Sequence, residues 1–167
     1  MVNLLTRHLM VAVLAPVAAC CHAHLPPAPP PGTREPVRTC NLAQTACAVS
    51  DPRIPSITIT PARDPYARWT LPLHAAHVLV SKGGGTLAVF APPRMEATAA
   101  TPFLTIYRRS GAKIEFDYGR LYPELLKTPD TLFPLKWGSV VEVNDNDDIA
   151  IRSARGELFK FSMKDED

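Results

Sequence analysis

Residues 77–90 read HVLVSKGGGTLAVF. Two short apolar runs, 77–80 and 87–90, stand on either side of Ser81, Lys82, Gly83, Gly84 and Gly85. Runs this short, rich in β-branched residues and bounded by turn residues, predict two strands joined as a hairpin. The same grammar extends outward. Residues 103–108 and 113–118 flank Arg109-Ser110-Gly111-Ala112. In the second of these, Ile114, Phe116 and Tyr118 alternate with Lys113, Glu115 and Asp117, a period of two that predicts a half-buried strand. Upstream, Ile57 and Ile59 alternate with Ser56, Thr58 and Thr60. Downstream, 139–143, 148–153 and 157–163 predict a meander, and its last turn (Ala154-Arg155-Gly156) has the length and glycine of a bulged hairpin. Residues 121–127 predict a short helix with Pro123 near its start and Leu121, Leu125 and Leu126 facing inward. The expected fold is mainly β: a small antiparallel β-sandwich or barrel with one short helix, spanning 55–163 and followed by an acidic tail at 164–167.

The 167 residues predict one domain with a modest core. Eighteen basic against sixteen acidic side chains leave a formal charge of +2. That balance gives no electrostatic case for a nucleic-acid partner. Proline, at 18 residues, is about twice its usual ~5%, and it gathers near the amino end. Residues 22–36, HAHLPPAPPPGTREP, hold six prolines. With fixed φ and few amide donors, such a run cannot build a helix or a central strand. It is expected to be a disordered, extended tether reaching about 45 Å. Residues 37–54 are expected to continue it irregularly, so the tether covers 20–54.

Residues 1–21 read MVNLLTRHLMVAVLAPVAACC. Arg7 precedes an apolar run that, from Leu9 to Cys21, is 13 residues long, well short of the ~20 that span a bilayer. Residues 1–19 therefore read as a signal peptide. Val17-Ala18-Ala19-Cys20 resembles the lipobox of bacterial lipoproteins, although Val17 stands where that pattern has leucine. The resemblance covers residues 1–20 only and implies cleavage before Cys20, lipidation of Cys20 with diacylglycerol and fatty acid, and attachment to a membrane. In the enterobacterial pattern an aspartate directly after the lipidated cysteine retains the protein at the inner membrane. Cys21 occupies that place here, which implies the outer membrane with the domain facing the periplasm. Two other readings stay open. Val17-Ala18-Ala19 also satisfies the small-residue rule for ordinary secretion, and the segment can persist as an uncleaved anchor. Removal of residues 1–19 would lower the formal charge from +2 to +1, since it takes one arginine and no acid.

With Cys20 lipidated, Cys21, Cys40 and Cys47 remain. Cys40 and Cys47 flank six residues and are the expected disulfide in an oxidising periplasm, with a stabilisation of about 2–3 kcal/mol. Cys21 is then left over; under plain secretion there would be four thiols, enough for two bridges. Cys21, His22 and His24 carry ligand types that suit zinc or copper, but their place beside a lipid and a tether argues for a spacer.

Signatures of chemistry are sparse. The sequence has no Gly-x-Ser-x-Gly elbow, His-Glu-x-x-His pair, complete phosphate loop or dinucleotide fingerprint, so a non-enzymatic protein with no cofactor is expected. The stretch SKGGGT at 81–86 is the nearest thing to a phosphate cradle, and its position between strand patterns favours a hairpin turn. Glu115 and Asp117 share a strand face and are the acids a hydrolase of peptidoglycan or glycan would use, yet Lys113 beside them favours an exposed charged strip. The run NDNDD at 144–148 offers Asp145, Asp147 and Asp148 to calcium, but lacks the central glycine and distal glutamate of an EF-hand and suits a turn. His74 and His77 would lie on opposite faces of a strand and lack a third ligand. Tyr107, Arg109, Tyr118, Arg120 and Tyr122 combine aromatics with cations at what is expected to be one end of a hairpin, the residue types that concentrate binding energy at protein interfaces. The expected function is an outer-membrane-anchored lipoprotein that binds another envelope component: a subunit of a secretion or envelope complex, or an inhibitor or immunity-type protein. The alternatives are an envelope hydrolase and a plain secreted β-domain.

Overall fold

The computed structural model describes residues 35–75, 77–91, 96–127 and 137–164. The signal peptide, Cys20, Cys21, His22 and His24, the tether through residue 34, and residues 165–167 of the acidic tail lie outside them. Within the described residues the chain forms three antiparallel sheets. The first carries β1 (Val37–Cys40), β2 (Ala46–Asp51), β3 (Ser56–Pro61) and β4 (Trp69–Leu71) in that spatial order. The second carries β5 (His77–Val80), β6 (Thr86–Phe90), β7 (Pro102–Arg108) and β8 (Lys113–Asp117). The third carries β9 (Ser139–Val143), β10 (Asp148–Arg152) and β11 (Leu158–Ser162). The mainly β, antiparallel expectation holds, and none of the sheets closes into a barrel.

The inner part of the middle sheet, around β5 and β6, is covered on both faces, which explains why these strands are apolar runs with weak alternation. Val78, Val80 and Leu87 pack with Ala46, Ala48, Ile57 and Ile59 of the first sheet. Ala88, Phe90, Leu104 and Ile106 point the other way, into a larger core with Val140, Ile149, Ile151 and Phe161 of the third sheet. Phe103 is central to that core, with its ring 5.8 Å from Tyr118 and 5.7 Å from Phe161. Trp137 stacks on Phe90 at 4.9 Å and donates its Nε1–H to the Ala91 carbonyl.

Five hairpins are closed by one recurring turn. The carbonyls of Asn41, Ser81, Arg108, Asn144 and Ser153 each accept from the backbone N–H three residues on, at 2.9–3.0 Å. In every case that donor residue has positive φ: Gln44, Gly84, Gly111, Asp147 and Gly156, from 54° to 91°. Four of the five turns begin with Asn or Ser, whose side chain accepts further loop amides. Asn41 Oδ1 takes Thr45 N–H at 2.9 Å, Ser81 Oγ takes Thr86 N–H at 3.0 Å, Asn144 Oδ1 takes Asp148 N–H at 3.0 Å, and Ser153 Oγ takes Glu157 N–H at 3.3 Å. These short side chains satisfy loop backbone that a strand ladder leaves unpaired.

Two boundaries differ from expectation. Residues 37–51 are a β-hairpin of the first sheet, not an irregular continuation of the tether. Cys40 and Cys47 face one another in its register and are joined as a disulfide. Ala46 and Ala48, both buried, bring this hairpin close against the middle sheet. The short helix also begins earlier. Asp117 Oδ1 accepts from Arg120 N–H at 3.1 Å and caps α1 (Tyr118–Leu121), and a 3-10 turn follows at Pro123–Lys127. Leu121 and Leu125 are buried as expected, whereas Leu126 is 60% exposed.

Candidate functional site

The structure separates the five residues expected to form one recognition surface. Tyr107 pairs with Lys113 next to the β7–β8 turn, whereas Asp117 pairs with Pro102 at the far end of β8. Arg109 thus lies about 15 Å along the strand from Tyr118, Arg120 and Tyr122. Tyr118 is completely buried and Tyr122 nearly so. The physical reason is the Asp117 cap: it ends the strand one residue before Tyr118 and turns both tyrosines into the larger core. Tyr122 Oη accepts from Ala154 N–H at 3.1 Å, and the Arg155 guanidinium lies 5.2 Å over its ring. Arg120 is exposed, with its guanidinium 4.8 Å over Phe116 and 5.4 Å over Phe161. Of the five, Tyr107, Arg109 and Arg120 reach solvent, and not on one patch.

The paired acids of β8 have local partners. Glu115 receives a hydrogen bond from Lys113 Nζ at 2.9 Å, which raises the lysine's pKa, and Asp117 caps α1. The 144–148 run is a turn in which Asn144, Asp147 and Asp148 direct side-chain oxygens at the protein itself. Asn144 Oδ1 also accepts from Asn146 N–H, and Asp147 Oδ1 accepts from Lys82 N–H at 2.8 Å. Asp148 Oδ2 accepts from Asn144 Nδ2, and bonds from Ser162 and Asn144 lower the carboxyl's pKa. Asp145 is exposed at the tip. His74 is exposed, and His77 is half-buried on β5. Among the described residues no three His, Cys, Asp or Glu side chains are grouped to hold a metal, and no helix is long and apolar enough to cross a membrane.

What the fold does bring together is a cleft that sequence reading did not assemble. The glycine-rich turn at 81–86 is a hairpin turn, as expected, and it forms the floor of an open cavity of about 650 Å3. One wall is Pro61, Arg63, Asp64 and Ala67; the other is Arg108, Arg109 and Ser110. The parts are pinned. Arg109 N–H donates to the Gly85 carbonyl at 2.8 Å, and Trp69 Nε1–H donates to the Gly84 carbonyl at 2.8 Å. Gly84 packs against Pro61 and Ala46 so closely that an added Cβ would lie 3.0 Å from Pro61 Cγ. Three arginines and one aspartate are therefore among the residues that line this space. That carboxylate is partly engaged, since Asp64 Oδ1 accepts from the Tyr66 and Ala67 amides at 3.0 and 3.3 Å. Arg63 and Arg109 make no ion pair among the described residues. Arg63 and Asp64 carry no motif, and only the turn-to-turn packing places them beside Arg108 and Arg109.

Compared with protein-family models, curated proteins and solved structures, the chain matches none, in keeping with the lack of a recognisable domain family in its sequence.

Proposed function

We propose that this chain is a lipoprotein of a bacterial outer membrane, anchored through Cys20, that holds its β domain in the periplasm as a binding or assembly module. The observation that carries the proposal is Val17-Ala18-Ala19-Cys20 directly after a short apolar run. Two further features support it. The proline-rich residues 22–36 separate Cys20 from the first strand by a length suited to a spacer. The Cys40–Cys47 disulfide is at home in an oxidising compartment. In this reading the domain is displayed to a partner in the envelope, as a subunit of a secretion or envelope complex or as an inhibitor or immunity-type protein.

The test is intact mass on protein purified from membranes, for the wild type and Cys20→Ser. A chain beginning at residue 20 with a diacylglyceryl and acyl increment, absent from the variant, is expected. A wild-type chain that begins at residue 20 without lipid would refute the anchor.

A further inference from the structure

We propose that the Cys40–Cys47 bridge is a thiol-exchange site, at which a thiolate of a dithiol partner attacks Cys40 Sγ and displaces Cys47 as a thiolate beside Arg38. The chemistry is read on Cys40 and Cys47 themselves, so it stands or falls independently of whether Cys20 bears lipid.

Ala46 and Ala48 pack against the middle sheet, so strand alternation turns Cys47, and Cys40 opposite it, to the outer face of the first sheet. β1 is the edge of that sheet, with β2 as its one strand neighbour. The bridge thus lies at a sheet margin and belongs to neither hydrophobic core. Its two ends are unequal. Cys47 is buried, at 8% exposure, whereas Cys40 is half-buried. Arg38 stands two residues before Cys40 on the same strand face, is exposed, and donates from Nη2 to Cys47 Sγ at 3.4 Å.

This asymmetry gives exchange a direction. A nucleophile from solvent reaches the more exposed cysteine, and attack there expels the other sulfur. The expelled sulfur, Cys47, is the one with the guanidinium against it. A cation beside a leaving sulfur stabilises it as the thiolate and speeds its departure. As the incoming sulfur bonds to Cys40 Sγ, the Cys40–Cys47 bond breaks and its electron pair goes to Cys47. The partner's second thiolate then attacks the partner sulfur of the mixed disulfide and releases Cys40. The partner dithiol is thereby oxidised to a disulfide, and Cys40 and Cys47 receive its two electrons and two protons.

The hairpin has fastenings besides the bridge. Asn41 N–H donates to the Ala46 carbonyl at 3.0 Å, and Asn41 Oδ1 accepts from Thr45 N–H at 2.9 Å. Asn41 Nδ2 and Thr45 Oγ1 donate to the carbonyls of Ser81 and Lys82 at 3.2 and 2.8 Å. Reduction therefore leaves the two cysteines opposite one another, and a partner disulfide can restore the bridge by the reverse steps.

The test uses the full chain in detergent, with Cys21→Ser removing a neighbouring thiol. Folded protein is exposed to glutathione, quenched in acid and digested at low pH, and the mixed disulfide is located by fragment masses. Reduction by dithiothreitol is timed separately. Reduction without denaturant is expected, with glutathione on Cys40, a free thiol at Cys47 and native tryptophan fluorescence afterwards. Arg38→Gln should slow reduction at least about threefold and spread glutathione over both cysteines, while Arg38→Lys keeps most of the rate. Arg38 is exposed, so both variants should melt like the parent protein. Lys160→Ala, which removes an exposed cation on β11, should be reduced at the parent rate. A bridge reduced only in urea would overturn the proposal. So would glutathione found on Cys47 in the parent protein, or an Arg38→Gln variant reduced as fast as the parent.

Discussion

Replacement of Gly84 by alanine tests how the middle hairpin is seated on the first sheet. Gly84 has φ +75°, and an added methyl would meet Pro61 Cγ at 3.0 Å and Ala46 Cβ at 3.1 Å. Gly111 occupies the equivalent place in the β7–β8 turn with φ +90°, yet its added methyl would meet nothing within 4 Å. Both substitutions force alanine into left-handed backbone, at about 1–2 kcal/mol, partly offset by about 0.4–1 kcal/mol from a less flexible unfolded chain. Gly111→Ala is therefore expected to destabilise by about 1 kcal/mol. Gly84→Ala carries the same term plus overpacking against buried Ala46 and half-buried Pro61, about 1–3 kcal/mol more. The assay is urea unfolding of the two variants beside the wild type, followed by tryptophan fluorescence, with the midpoint shift read at a common slope. Equal destabilisation by the two variants would refute the close seating of the turn on Pro61 and Ala46.

Other consequences are testable on the same protein. Cys40→Ser/Cys47→Ser opens a closed loop of eight residues and should lose about 2.5 kcal/mol, visible as a lower melting temperature that reductant reproduces in the wild type and not in the variant. Asp51 is held at about 2, below its ordinary 3.8, because the Arg53 side chain and amide both donate to its carboxylate. A lowered carboxyl value means its stabilising contribution is complete above 3.8 and disappears as pH falls towards 2. The stability gap between wild type and Asp51→Asn should accordingly close across that window, and a gap independent of pH would contradict it. Tyr122→Phe removes the acceptor for the Ala154 amide and should cost about 1–3 kcal/mol in chemical denaturation.

How much of this was legible beforehand differs by region. Ile57, Ile59 and the runs at 77–80 and 87–90 announce strands because branched side chains and turn residues act locally. The β1–β2 hairpin was not legible, since Ala46 and Ala48 lack bulky branched side chains and gain their burial only from the sheet they face. Tyr118 was misplaced for a different reason. It continues the alternation of Ile114 and Phe116, and only the capping bond from Arg120 N–H to Asp117 shows that the strand has already ended. The pairing of Cys40 with Cys47 was readable from their short spacing. The cleft was not, because Arg63 and Arg109 are 46 positions apart and meet through the contact of one turn with another.

In each of the three sheets spatial order follows chain order, and five of the connections are the same tight turn. Strand pairing therefore requires closure of short loops alone, while long-range association is confined to the stacking of one finished sheet on the next. Such a chain can assemble vectorially. The first sheet completes its ladder once residue 71 is available and offers Ile57 and Ile59 as a template for the middle one. Strands β5 and β6 of the middle sheet, with both faces covered at the end, then become the last part of the molecule to exchange their amide protons.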